Sequence, residues 1–329
     1  MDNLTHSLTG LVLARAGLRK YSPHGTLLMI VAANLPDIDM VNWLRGPLKN
    51  FEFHRGYTHS LLCLPLVALG AVMVTALVRW KRLPWLAAWA IACIGVASHL
   101  LLDWSMSYGV RLLLPFSSRW LYLDLFSLVD WVVLGVLVVA WLGPTLGQLV
   151  SEEIGEKRKA GRGLAIFALA FFVLYGGFRA LMHERVMSQL ESRIYREALG
   201  GPAIRMAAIP DSVNPLAWNA VVEGEHSYRI YRLSAYTNFD PSEGILLYKP
   251  AWNRAFEQAS RTEAFRYSLY FARFPYWEEA PGPRSDWRVV SLTDLRFGAP
   301  GESFFTVHAL LDPAGRVEQV GFGGFKTSP

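Results

Sequence analysis

Three stretches of this chain, Leu61–Val78, Leu83–Leu102 and Trp131–Val150, contain no Lys, Arg, Asp or Glu. A helix needs roughly 20 apolar residues to cross about 30 Å of hydrocarbon, so each stretch is long enough to span a bilayer. A fourth block, Leu164–Phe178, is shorter and reaches across if Arg179 snorkels to the interface. The sequence therefore predicts an integral membrane protein, mainly α, built as a polytopic helical bundle. With 52% hydrophobic residues and a mean hydropathy of +0.24, the chain is too apolar for an ordinary soluble enzyme.

Two shorter apolar stretches, Leu4–Ala14 and Thr26–Pro36, precede the first span and are joined by the basic turn RAGLRKYSPH. They read as a helical hairpin buried against the bundle, since short elements are tolerated where protein covers them. Pro36 is expected to stop the second helix. From about residue 185 the composition becomes mixed, rich in Arg, Glu, Tyr and Trp. There SYRIYRL (227–233) and WRVVSL (287–292) alternate like half-buried strands. FFTVHALLDPAGRVEQVGF carries a DPAG turn between two strand-like runs, and Phe256–Phe274 reads as helical. The expected division is a membrane-embedded helical domain over 1–184 and a soluble extramembrane α+β domain over 185–329.

The formal charge of +5 reads as topology, and no nucleic-acid partner is expected. Arg79, Lys81 and Arg82 lie in one tight turn, and Lys157, Arg158, Lys159 and Arg162 in another loop. The positive-inside rule places both in the cytoplasm, with the turn holding Arg15, Arg19 and Lys20 on the same side. Segment 37–60, loop 103–130 and the C-terminal domain then fall on the periplasmic face of a bacterial inner membrane, although Arg45, Lys49, Arg55, Arg111 and Arg119 lie there too. MDNLTHSL lacks a basic n-region, so no cleavable signal peptide is expected. Cys63 and Cys93 both sit in apolar blocks and read as small hydrophobes.

On this topology the ionisable residues converge. His6 opens the first short helix, Asp37 and Asp39 form PDID after the second, and His54 and His59 form HRGYTHS before the first span. His99 and Asp103 end the second span, while Asp124 and Asp130 precede the third. All land on one side, near element ends. His99 and Asp103 are i, i+4, so a helix projects both from one face, as in the zinc-binding H-E-x-x-H helix. In an extended PDID the two carboxylates would diverge, one facing a metal and the other supporting it. Gly56 permits a turn, and Thr58 reads as an N-cap setting His59 in the first turn of the span. Taken singly, an interfacial histidine is usually a polar tip and an aspartate before a helix usually a cap. Together, with ionisable groups at membrane depth, they point to a site. His24, His183, His226 and His308 lack such neighbours and read as structural, like Glu184. Mixed imidazole and carboxylate ligands suit zinc, with manganese or iron as alternatives.

THSLTG, NLPDID, HRGYTHS, SHLLLD followed by YG and LLLPF, and LDLFSLVD resemble, in this order, the YdjM-type family of bacterial membrane-bound metal-dependent hydrolases. NPLAW (214–218) also fits. The family is remotely similar to the zinc-dependent phospholipase C and P1 nuclease group, whose helical site holds zinc ions with His and Asp ligands. The resemblance implies His99 and Asp103 as the helical ligand pair, His6 as an early-helix ligand, and Asp37 or Asp39 as a bridging carboxylate. No second H-x-x-x-E helix and no N-terminal Trp are present, so one or two ions are expected. Asp130 is followed by Trp131 where the family has Pro.

The expected activity is metal-assisted hydrolysis of a lipid-linked or other phosphoester at the membrane surface. His6, His59, His99 and Asp103 are the expected ligands, with His54 and Asp37 or Asp39 completing the site. Asp124 or Asp130 would orient the attacking water, and Arg55 or Arg111 would clamp an anionic group. The alternative is a non-catalytic membrane protein with a structural or regulatory metal site and a partner-binding C-terminal domain. A peptidase lacks its H-E-x-x-H helix here. The orientation predicts that alkaline phosphatase fused after Glu191 is active in intact cells. A silent fusion, with a fluorescent cytoplasmic reporter at the same point, would reverse it.

Overall fold

The computed structural model describes residues 1–80, 83–154, 161–195, 201–303 and 305–323. Lys81, Arg82, Lys157, Arg158 and Lys159 of the basic loops lie outside the described residues, as does Phe304. The chain forms two compact units. One comprises Met1–Val41, Phe53–Glu184 and Pro210–Leu216, and the other Asn42–Glu52, Arg185–Ile209 and Ala217–Pro329.

The first unit is helical: α1 (Asn3–Ala16), α2 (Gly25–Asn34), α4 (Leu64–Arg79), α5 (Trp85–Trp104), α6 (Trp131–Ile154) and most of α7 (Arg162–Glu191). The helix α3 (Pro47–Phe53) falls almost wholly in the second unit. Among the described residues, three helical stretches are long and apolar enough to cross a membrane: Gly25–Arg45, Trp85–Trp104 and Arg162–Glu191, whereas the expected span Trp131–Val150 is represented by a shorter apolar helix, Trp131–Gly147. A fourth is possible if Pro47–His59 and Leu64–Arg79, bent by 96°, form one broken span.

The helices differ from the sequence expectation in three further places. The stretch Leu61–Val78 is not one straight helix, because Ser60–Cys63 turns before α4 begins. Pro36 ends the α-helical bonding of α2, but the chain continues as a 3₁₀ helix over Leu35–Arg45. Proline lacks only its own amide and tolerates the first turn of a helix. Arg179 does not snorkel: it is buried, donating from Nε to the Leu125 carbonyl (2.9 Å) and from Nη1 to that of Pro215 (2.5 Å). The NPLAW stretch thus contributes a backbone acceptor to the helical unit.

Small residues set the helix packing. A Cβ on Gly10 would meet the Met29 carbonyl oxygen at 2.6 Å, and one on Gly95 would meet Ala32 Cβ at 2.8 Å. Gly10 lies one turn after His6 and Gly95 one turn before His99, so both histidines ride on helix faces pressed against α2. Pro144 in α6 removes the amide that would bond the Ala140 carbonyl. Arg15, in the last turn of α1, supplies the missing donor at 3.0 Å and reaches the Trp141 carbonyl at 2.7 Å.

The second unit carries two four-stranded sheets. β1 (Arg205–Pro210), β2 (Ala217–Glu223), β3 (Ser227–Ser234) and β4 (Ile245–Tyr248) follow chain order in the first. β5 (Pro275–Pro281), β6 (Arg288–Asp294), β7 (Thr306–Leu311) and β8 (Val317–Phe322) form an antiparallel meander in the other. The expected helix Phe256–Phe274 is two helices, α8 (Arg254–Ser260) and α9 (Glu263–Phe271). Thr262 breaks it by capping α9, its hydroxyl accepting from the Phe265 amide. Segment 42–52 joins this unit through Phe51, whose ring packs with Tyr267, Phe271 and Phe322 at 4.7–5.0 Å, and through a Lys49–Glu263 ion pair of 2.7 Å.

Two substitutions test this packing. Gly10→Val forces α1 off the α2 backbone and should cost about 1–3 kcal/mol, read as a lower melting temperature. Phe51→Ala should cost about 3–5 kcal/mol in the second unit, read as faster proteolysis at its aromatic cluster.

Candidate metal centre

Asp37 and Asp39 lie in the 3₁₀ helix Leu35–Arg45, not in an extended segment. At three residues per turn, positions two apart point about 120° away from each other. Asp37 accordingly faces His59 and His99, whereas Asp39 faces His54 and Arg55. The following HRGYTHS turn is made by Arg55, which adopts a left-handed φ of 56°. Gly56 has an ordinary φ of −82°, and it is needed because a Cβ there would meet the Phe53 carbonyl oxygen at 2.8 Å. Thr58 is not an N-cap, since α4 starts six residues later. Its hydroxyl donates to Asp39 Oδ2 at 3.0 Å.

At the centre, Nε2 of His59 and Nε2 of His99 are 3.1 Å apart. Asp37 Oδ1 lies 3.3 and 3.6 Å from these two nitrogens, and Asp103 Oδ2 lies 3.5 Å from each. The tautomers follow from what stands behind each ring. His99 Nδ1 is 2.7 Å from the Ala33 carbonyl, which can only accept. His59 Nδ1 faces Asp39 Oδ2 at 3.2 Å and the Thr58 hydroxyl oxygen at 3.1 Å. Both Nδ1 atoms therefore carry a proton, and in the neutral rings both Nε2 atoms turn lone pairs to each other. Two imidazole nitrogens and two carboxylate oxygens converge in a buried space, where Asp103 Oδ2 has no hydrogen-bond donor among the described residues.

With neutral rings this arrangement is repulsive unless a proton or a metal cation lies among the four atoms. Ligands about 2.0–2.1 Å from a tetrahedral ion stand about 3.3–3.4 Å apart, close to the separations observed. Asp37, His59, His99 and Asp103 thus fit a divalent ion. Asp39 behind His59, and the Ala33 carbonyl behind His99, fix ring orientation as acceptors behind metal-bound histidines commonly do. A second group, Asp37, Asp39 and His54, shares Asp37 and also brings its ligand atoms within 4.8 Å of one another. His54 Nδ1 is 2.9 Å from Asp39 Oδ1, and its side chain is 19% exposed where the inner four residues are buried.

The remaining sequence candidates stand around these groups. His6 stacks on the His99 ring at 3.8 Å, with Nε2 3.4 Å from Asp103 Oδ1. That same oxygen accepts from Arg55 Nη2 at 2.9 Å and pairs with the Met1 ammonium. Arg111 donates to the Arg55 carbonyl at 3.2 Å and to the His54 carbonyl at 3.3 Å, its guanidinium over the Trp120 ring. Both arginines are thus engaged within the protein. Asp130 caps α6, accepting from the Val132 and Val133 amides at 3.1 Å. Burial raises its carboxyl above the usual range, against the Val133 amide and Arg179. Asp124 is buried with a φ of 55°. Neither carboxylate belongs to the two groups. The backbone carbonyls of Ala33 and Gly109 took part unforeseen, because no side-chain pattern marks a carbonyl.

The YdjM inner membrane protein family model matches residues 1–186. An uncharacterized protein, YfhP, of Bacillus subtilis (strain 168) is 24% identical over 247 residues, covering 70% of this chain and 68% of its own length. Inner membrane protein YbcI of Escherichia coli (strain K12) is 31% identical over 120 residues, 35% of this chain and 68% of its own. No solved structure matches.

A cation that binds only the folded protein stabilises it, by about 2.7 kcal/mol at a hundred times its dissociation constant. Zinc should therefore raise the melting temperature of purified protein, and a chelator should reverse the rise. In Asp103→Asn the shift should vanish. An unchanged melting temperature in wild type across zinc, manganese and iron would exclude the centre.

Proposed function

This chain belongs to the YdjM inner membrane protein family, and on that premise we propose that it is a metal-dependent hydrolase of the bacterial inner membrane, cleaving a phosphoester borne by a lipid or lipid-linked substrate. In this reading the apolar helices form a polytopic bundle, and the centre and C-terminal domain face the periplasm. The observation that carries it is the pairing of a closed group with a more open one through Asp37. Structural sites fill their coordination with protein, whereas catalytic ones keep a position free. The inner four residues would supply four ligands to one ion. The outer three do not, and His54 gives them their exposed edge.

A bound ion, zinc in this proposal, supplies Lewis acidity and lowers the pKa of a coordinated water to about 7. The chain's own residues do the rest. Asp37, shared by the two groups, would hold an ion in either. Asp39 orients His59 with one oxygen and offers the other towards His54. A lipid substrate is supported by the exposed apolar residues interleaved with the site along the chain: Leu4, Ile38, Phe53, Tyr57, Leu61 and Leu101. Side chains of this kind are covered by acyl chains at a membrane surface.

One observation favours a second reading. Four buried ligands complete the inner coordination, as in a structural site. Elemental analysis combined with hydrolysis assays separates the two. Two ions per chain, and release of phosphate-containing products from phospholipid vesicles, support the hydrolase. His54→Ala should then lose one ion and at least about 10²-fold in rate, the upper range for an altered metal site. A single ion and no hydrolysis of vesicles or bis-p-nitrophenyl phosphate would favour the structural reading.

A further inference from the structure

We infer that Arg55 is a positioning residue that holds Asp103 and Asp39 in the geometry the cation needs, and is not a clamp for substrate. The inference rests on the metal-centre reading above. Three observations carry it. The guanidinium is buried and forks between Asp103 Oδ1 (2.9 Å) and the Gly109 carbonyl (2.8 Å), lying 4.4 Å over the Tyr108 ring. The backbone amide of the same residue donates to Asp39 Oδ2 at 2.9 Å. Its φ of 56° is a conformation that a residue with a Cβ rarely adopts.

These features explain one another. In the left-handed conformation, the amide and the side chain of a single residue reach two carboxylates from different segments. Asp103 Oδ1 is occupied by Arg55, and the Met1 ammonium pairs with it too, so Oδ2 is the atom turned to His59 and His99. Asp39 Oδ2 is held by Arg55 and Thr58 where it meets His59 Nδ1. Non-glycine residues in strained backbone persist where their surroundings over-determine them, often at functional sites. Gly109 fits the same purpose: its φ of 84° turns a carbonyl to the second arm of the fork.

A positioning role and a purely electrostatic role predict opposite effects on affinity. A buried cation beside the centre repels a divalent ion, so removing its charge alone would tighten binding. Removing its orienting bonds loosens binding, by about 10–100-fold for partners of metal ligands. Zinc affinity, read by competition with a chromogenic chelator on the full-length protein in detergent, therefore decides. Wild type is compared with Arg55→Met, Arg55→Gly and Arg55→Lys. Glycine keeps the amide and accepts the backbone, while lysine keeps the charge but cannot fork. All three should bind zinc 10–100-fold more weakly, with the metal-free melting temperature closest to wild type for Lys, which keeps a charge beside Asp103. Affinity equal to or above wild type in Met or Gly would overturn the inference. If Met and Gly fail to fold, Lys alone decides, and wild-type affinity in Lys overturns it. A wild type that binds no zinc, manganese or iron would instead defeat the metal-centre reading itself.

Discussion

The hydrogen bond from His99 Nδ1 to the Ala33 carbonyl, 2.7 Å long, fixes more of this molecule than its size suggests. It commits the ring to one tautomer and turns a lone pair towards His59. It also ties the end of α5 to the end of α2, where the α-helix becomes a 3₁₀ helix. The tie needs the two backbones close, and close approach needs Gly95 against Ala32 and Gly10 against Met29. Helix packing and the protonation pattern of the centre are therefore one constraint. A larger residue at either glycine would move the carbonyl that sets the tautomer.

The same economy appears where charged groups lie among apolar helices. Backbone carbonyls freed from helical bonding need donors when water is absent. Pro144 frees the Ala140 carbonyl, and Arg15 satisfies it. Arg179 likewise ends on the carbonyls of Leu125 and Pro215. These arginines are structural donors first. They need not reach solvent to be tolerated, because the acceptors are inside the protein.

How much of this could be read from the residues depended on which physical signal each feature leaves. The i, i+4 spacing of His99 and Asp103 survives because α5 is a regular helix over both residues. The gathering of PDID and HRGYTHS about that helix was visible as a convergence of element ends. The role of Arg55 was not, since a left-handed arginine carries no sequence mark and glycine next door drew attention to itself. An extended PDID would send its carboxylates apart, and the 3₁₀ helix does so too, since proline at its start loses nothing. Segment 42–52 packs with the second unit through Phe51. No local pattern foretells partners more than 200 residues away in sequence.

Asp39 shows why the number of ions matters to the chemistry. Its Oδ2 is saturated by the Arg55 amide, the Thr58 hydroxyl and the His59 ring. A carboxylate held this way is a poor direct ligand through that oxygen and a good orienting group. Its Oδ1 meets His54, on the side where exposure begins. Asp37 Oδ1, in contrast, lies beside the imidazole edges of His59 and His99. The two aspartates of one short motif have thus been driven into opposite roles by a rotation of about 120°. A carboxylate with few donors gains most from a cation, and it is the one shared by both groups. Asp37 thus links the buried group to the half-exposed one.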